Sequence, residues 1–421
     1  MIQTFDLFPG IQLRCFPDQR FKHGCLSVQV VRPMCSQEAA QNALLPAVLL
    51  RGSADHPDLR DITLRLDELY GASIGTLVRR IGDYQTTGFY ASFMEDRYAM
   101  EGDTILAPLI AFLQELLLEP ALENGVFRRD YVDSEKRNLI STIEAQRNDK
   151  RAYAMEQMVK RMCKGDSFGI PRLGEISQVE SITPESLYAH YGKILAQSRI
   201  DLFYVGAADP QQVAQLVTGM FAGVERCYVP LPSQSPFGGG EQGVYTEQME
   251  ISQGKLCMGF VTPVTIRDVD FVPTQLLNLV FGGGMTSKLF MNIREKQSLC
   301  YAIGSGYHGS KGILTVSAGI DSHMDGVVKE QIMEQLEACC RGEITREELT
   351  AAKKALCSGL LATHDSPGSI ENYYATAALS GLRLSPEAYI RATEKVTAEQ
   401  VATAAKNVKL HSVYFLKGVA E

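Results

Sequence analysis

Residues Leu277–Ile303 read LNLVFGGGMTSKLFMNIREKQSLCYAI, and the fold is decided by how this stretch is parsed. A helical apolar pattern over Val272–Phe281 stops at Gly282-Gly283-Gly284, where three residues without a β-carbon allow a tight turn and a close approach of two elements. Helical spacing resumes over Ser287–Lys296, and a strand pattern follows over Tyr301–Tyr307. The glycines look superficially like a phosphate loop. That loop requires G-x-x-x-x-G-K-[ST], and no Gly-Lys-Ser/Thr is present.

Working outward, Leu256–Val261 reads as a strand before this junction and Ile313–Gly319 as a strand after it. Helical patterns then cover Met324–Arg341 and Thr345–Thr363, the second opened by the capping box Thr345-x-x-Glu348. A further capping box, Thr397-x-x-Gln400, starts the last helix, and Ser412–Phe415 is a closing strand. The first half has the same order. Strands Ile11–Phe16 and Leu26–Val31 precede helical patterns at Gln37–Arg51 and Leu59–Tyr70. Ser73–Arg80 and Tyr84–Phe93 form a hairpin through Ile81-Gly82-Asp83. Helices follow over Met100–Leu118, Asn124–Asn148 and Lys150–Lys164. Thr183-Pro184-Glu185 then caps another helix, followed by strand Ile200–Val205 and helix Pro210–Phe221.

Between Val229 and Gly243 the composition shifts to Pro230, Pro232, Pro236 and Gly238-Gly239-Gly240, the mark of a linker. The chain therefore divides into residues 1–228, a linker 229–250, and residues 251–421. A repeat of this size is a duplicated domain. Strand runs followed by helix runs predict an α+β fold of two homologous domains, each an antiparallel sheet with helices on one face.

Composition narrows the function. A formal net charge of −8 over 421 residues argues against a nucleic-acid surface, which needs clustered Lys and Arg. The sequence has no apolar run of membrane-spanning length and no secretory signal at Met1–Gly10, so a cytoplasmic protein without membrane contact is expected. Ten cysteines are scattered without a C-x-x-C pair and read as small buried hydrophobes. Seven histidines include no pair three to five residues apart, so no helix presents two imidazoles to one ion. Asp55-His56-Pro57-Asp58 reads as a solvated turn and helix cap. No G-x-S-x-G elbow occurs.

The junction quoted above resembles the second-half signature of the insulinase/pitrilysin family of zinc peptidases, which includes the mitochondrial processing peptidase. There a glycine turn, a Ser-x-Leu-Phe helix and an R-[ET]-K-x-x-L-x-Y segment occur together; Arg294 and Tyr301 match its Arg and Tyr. The resemblance implies that these two side chains reach the zinc site of an opposing half, hold the substrate backbone and stabilise charge at the scissile carbonyl, as preorganised donors do. Outside the resemblance, Arg294 is an exposed helix-end cation and Tyr301 a strand-start aromatic.

The first half is similar to the family in Arg51-Gly52-Ser53, the tripeptide that follows the inverted zinc motif H-x-x-E-H. Counting back places that motif at Ala43-Leu44-Leu45-Pro46-Ala47, with methyl groups for both imidazoles and a proline for the general base. In Glu135–Thr142 the retained Glu is Glu135, and the third ligand position carries Thr142. The resemblance therefore implies no metal on this chain and zinc on a partner. Leu66–Ser73 resembles the passage before the family's substrate-docking edge strand, so Ser73–Arg80 could add an extended peptide by backbone pairing.

Two readings stay open. The chain is a non-catalytic subunit that completes the site of a zinc-bearing paralogue in a closed chamber, or a peptide-binding or scaffold protein of the same fold. Heterodimer and homodimer are both compatible with the sequence, and hydrolysis by an unrecognised site is the weakest option.

Overall fold

The computed structural model describes residues 2–418. Its strands are β1 (Gln3–Phe8), β2 (Ile11–Pro17), β3 (His23–Pro33), β4 (Ser73–Ile81), β5 (Tyr84–Met94), a two-residue hairpin of β6 (Leu122–Glu123) and β7 (Val126–Phe127), β8 (Arg199–Gly206), β9 (Gly243–Met249), β10 (Gly254–Val261), β11 (Ala302–His308), β12 (Ile313–Ile320) and β13 (Lys409–Gly418). One sheet runs β1-β2-β8-β3-β5-β4 and the other β11-β12-β10-β13-β9. From the β4 end, 4-5-3-8-2 repeats as 11-12-10-13-9. The repeat extends to orientation: β2·β8 and β13·β9 are parallel, and the other neighbours in both sheets are antiparallel. The fold is the duplicated α+β architecture that the sequence pattern implies, with one parallel pair added to each sheet.

The chain forms two compact units that exchange segments. The first comprises residues through Glu144, Pro171–Ser233 and His364–Thr376; the second comprises Ala145–Ile170, Gln234–Thr363 and the chain from Ala377. The linear division at 229–250 is thus supplemented by two exchanged segments, Ala145–Ile170 and His364–Thr376. Residues 224–242 are irregular, whereas Gly243–Met249, inside the expected linker, is edge strand β9.

In the first unit, alternation places Leu26, Val28 and Val30 of β3 against helices Ala39–Leu49 and Leu106–Leu118 in one large apolar cluster. Each such side chain contributes roughly 1.5–3 kcal/mol when fully buried. The intervening residues Ser27 and Gln29 are also buried, but against the exchanged segment: Glu371, fully buried, accepts hydrogen bonds from Ser27 Oγ (2.8 Å) and Gln29 Nε2 (2.6 Å). Arg79 of β4 adds a two-pronged contact, 3.2 Å from each carboxylate oxygen. In the second unit, helix Lys150–Met162 packs Ala154, Met158 and Met162 with Cys257 of β10 and Tyr414 and Leu416 of β13. Helices on one face of each sheet are therefore joined by an exchanged segment on the other.

Helix Ala39–Leu49 has Pro46 in its interior and no side-chain N-cap. A proline there removes a hydrogen bond and costs about 3 kcal/mol or more in an isolated helix. Burial of Leu44, Leu45, Val48 and Leu49 offsets that cost, and Asn42 fixes the helix further. Its Nδ2 donates to Gln85 Oε1 (2.9 Å), and its Oδ1 lies 2.7 Å from His190 Nε2. The helix expected over Met100–Leu118 starts at Leu106, where Asp96 Oδ1 accepts the Ile105 and Leu106 amides. The helix expected from Asn124 starts at Arg129, because the turn between β6 and β7 needs the positive φ of Asn124 and Gly125.

Two outcomes follow from these buried polar contacts. Glu371→Ala strands Arg79 and Gln29 and should lower stability by about 3–5 kcal/mol in denaturant titration, whereas a loss under 1 kcal/mol would show the network to be dispensable. Burial pushes the His190 imidazole down to about 4. The unfolded chain therefore takes up a proton near pH 6.5 that the folded chain refuses until about pH 4. The neutral-imidazole contribution is complete above pH 6.5 and is lost as pH falls through that window, by roughly 3 kcal/mol at most. His190→Gln should flatten the stability profile between pH 6.5 and 4; identical profiles for the two proteins would refute this assignment.

Candidate functional site

In the first unit, Ala43 and Pro46 are buried and Ala47 is half-buried on helix Ala39–Leu49. Just beyond the helix, Arg51 Nη1 donates to Glu135 Oε1 at 3.3 Å, and its guanidinium lies 5.3 Å from the Tyr131 ring centre. Arg51 Nε is buried with no hydrogen-bond partner. The second Glu135 oxygen accepts from Asn138 Nδ2 at 3.1 Å. Thr142 is exposed on the same helix, and its hydroxyl is spent on the Asn138 carbonyl, 2.8 Å away. Gly52 is obligatory, since a β-carbon there would stand 2.3 Å from the Pro57 carbonyl oxygen.

Asp58 caps helix Leu59–Glu68 through the Arg60 and Asp61 amides, as its position in the sequence predicts. His56 lies in the turn before that helix and is partly buried. Its Nδ1 lies 2.7 Å from Glu115 Oε1, the oxygen that also accepts from Ser53 Oγ.

Zinc requires imidazole, thiolate or carboxylate donors converging at about 2 Å. Two alanines, a proline and a threonine offer none, and the retained carboxylate already has a guanidinium on it. The residues present do not fit the ion. Among the described residues there is no cluster of three or more His, Cys, Asp or Glu able to hold a metal.

The second unit contains the matched Arg and Tyr. Leu289–Lys296 is a π-helix rather than the ordinary helix expected over Ser287–Lys296, a form that often occurs at functional sites. Leu289 and Ile293 anchor it in the core, and Lys288 ties its start to Glu348 at 2.9 Å. Glu348 also closes the capping box with Thr345. Arg294 projects from this element with its side chain 40% exposed, its guanidinium 4.6 Å from the Phe290 ring centre. Its nearest carboxylate, on Glu295, is 3.9 Å away, too far for a hydrogen bond. The chain then turns through Ser298, whose φ is 53°, and the Leu299 amide bonds back to the Ile293 carbonyl at 3.1 Å. Tyr301 emerges at the start of β11, 57% exposed, with its hydroxyl 3.2 Å from Asp321 Oδ1. One π-helix, one turn and one strand start thus mount both side chains locally. The predicted docking strand, Ser73–Arg80, falls within β4, which is an edge of its sheet.

Sequence reasoning missed the Arg51–Glu135 pair, although both residues stand in the motifs that carry the resemblance. It also missed Arg151, which lines a cleft of about 610 Å³ beside the glycine turn and Phe290.

Residues 181–356 match the family model described as Peptidase M16 inactive domain. The chain is 30% identical over 409 residues to a Bacillus subtilis protein described as "Probable inactive metalloprotease YmfF", covering 97% of this chain and 96% of the relative. A conserved protein from Enterococcus faecalis of known crystal structure superposes with a TM-score of 0.92 at 27% identity, over 100% of this chain and 99% of that one. A peptidase M16 inactive domain from Pseudomonas fluorescens shares the fold, with a TM-score of 0.82 at 18% identity and coverage of 100% and 98%. The chain belongs to the M16 peptidase family, the insulinase/pitrilysin group, as an inactive peptidase homologue without the H-x-x-E-H zinc motif.

Proposed function

We propose that this chain is the non-catalytic subunit of a two-chain zinc peptidase, lending Arg294 and Tyr301 to the site of a zinc-bearing M16 paralogue. The observation that carries the reading is the state of Arg294. It is held by a core-anchored π-helix, yet among the described residues its guanidinium donors are engaged by no carboxylate within hydrogen-bond range. A planar fork of this kind suits a peptide backbone or a carbonyl oxygen gaining charge. Tyr301 adds a phenol donor seven residues on, restrained by a single longish contact to Asp321.

The partner supplies the metal, because the described residues of this chain offer no ligand set for it; a homodimer would lack zinc on both sides, so a heterodimer is the competent assembly. Peptides are the substrates, bound through donors that read backbone rather than side chains. We place the complex in the cytoplasm, a reducing compartment in which ten free cysteines are at home. No helix of the described residues is long and apolar enough to cross a membrane.

Reconstitution tests the reading. The chain mixed with its zinc-bearing paralogue should hydrolyse peptides that neither hydrolyses alone. Arg294→Ala and Tyr301→Phe should each lower kcat by about tenfold or more while the two chains still co-elute, approaching the loss of an oxyanion donor. Wild-type turnover in both variant complexes would refute the roles assigned. Isolation from the native host with an unrelated partner and no paralogue would favour the scaffold reading instead.

A further inference from the structure

The cleft of the second unit lies beside the first turns of the covering helix. Helix Lys150–Met162 packs over β10 and β13, and the adjoining part of that sheet, on β11 and β12, keeps an open floor. The floor is Gly304, Gly306, Thr315 and Ser317, two glycines directly opposite two hydroxyl residues in the ladder. β11 is an edge strand. Glycine within a strand weakens the strand and commonly marks a place where a ligand or another backbone approaches closely. A β-carbon built on Gly304 would meet nothing nearer than 3.5 Å, so no packing requirement excludes a larger residue there.

Arg151 supplies the charge. Its Nε donates to Ser317 Oγ at 3.3 Å, which fixes the guanidinium over the floor. Its Nη2 lies 3.9 Å from where a Gly304 β-carbon would stand, and neither terminal nitrogen forms an ion pair among the described residues. The acid beside it, Asp149, is engaged as a helix cap, with Oδ1 accepting the Arg151 and Ala152 amides at 3.0 and 3.1 Å. Met155, Met285 and Phe290 supply the apolar lining.

We propose that this cleft binds the free carboxyl end of a peptide with apolar terminal residues: the carboxylate on Arg151, the last side chains against Met155, Met285 and Phe290, and the backbone on the glycine and hydroxyl floor. A terminal carboxylate matches the two N–H groups that a guanidinium presents side by side. A peptide end also brings amide groups and apolar side chains to the cleft, which a plain hydrocarbon acid lacks. The volume of about 610 Å³ suits a short chain end rather than a folded partner. The proposal goes beyond the shared active site and does not depend on a zinc-bearing partner.

Calorimetric titration of the full chain with Ac-Ala-Ala-Leu-Phe as the free acid, the same peptide as its C-terminal amide, and octanoate tests it. The free acid should bind about tenfold or more tighter than the amide, as a charge-assisted contact requires. Arg151→Gln should reduce the acid to the affinity of the amide. Gly304→Val, at a site with ordinary room for a β-carbon, should weaken acid and amide alike by filling the floor, with the circular dichroism spectrum unchanged. Equal binding of acid and amide, or absence of binding by both, overturns the proposal. So does loss of the preference in Arg294→Ala rather than Arg151→Gln, or octanoate binding as tightly as the peptide. Because the paralogue is absent throughout, failure here leaves the Arg294 and Tyr301 reading standing, and failure of the reconstitution leaves this site standing.

Discussion

The contact between Arg51 and Glu135 is the constraint from which the functional account follows. In a fold whose hydrolytic members concentrate positive charge on a metal ion, this chain puts a guanidinium against the one acidic residue that survives from the motif. A carboxylate so engaged has less to offer a divalent cation, and the positions around it carry methyl groups, a proline ring and a hydroxyl turned back on its own helix. Losing one ligand weakens a metal site; losing two imidazoles, the third ligand and the base removes the chemistry. The Tyr131 ring beside the guanidinium makes the cation a settled part of the first unit.

The described residues of the first unit offer no zinc-ligand set, and the matched Arg294 and Tyr301 stand in the second. Its polar side chains divide into those spent on structure and those left available. Lys288, Glu348 and Thr345 are consumed in holding the π-helix. Arg294 and Arg151 have terminal guanidinium nitrogens with no carboxylate within hydrogen-bond range among the described residues, whereas the Tyr301 hydroxyl donates to Asp321. Both units close other charges in ion pairs, Arg79–Glu371 in the first and Lys311–Asp166 in the second. The segment exchange has a related consequence. Glu371 sits under the first sheet and Met158 under the second, each arriving from the other half of the sequence, so neither half of the chain contains all the side chains that bury its own sheet.

Much of this was legible in the sequence because it is written in local, repeating signals. The glycine turn, the capping boxes at Thr345 and Thr397, and the Thr183-Pro184 helix start all rest on interactions between residues close in the chain, and all are present. The order of elements gave the duplication, which the two sheet topologies repeat. What escaped depends on distant partners. Strand β9 alternates half-buried with exposed residues at a sheet edge, leaving little hydrophobic signal next to a proline-rich stretch. The parallel pairs and the exchanged segments are matters of connection rather than periodicity. Ser27 and Gln29 alternate with the apolar residues of β3, and Glu371, 342 residues beyond Gln29, accepts a hydrogen bond from each. The candidate residues themselves were readable because they stand in contiguous motifs, whereas Arg151 and the cleft assemble from four separate stretches of chain and left no pattern.

The account rests on the claim that this polypeptide cannot hold zinc where its relatives with the intact motif would. The measurement that bears on it most directly is zinc titration of the purified chain, followed by metal analysis after desalting and a peptide-hydrolysis assay on the same sample. The account predicts no tightly held zinc and no hydrolysis. One zinc retained per chain, together with peptide cleavage that a chelator abolishes, would contradict it.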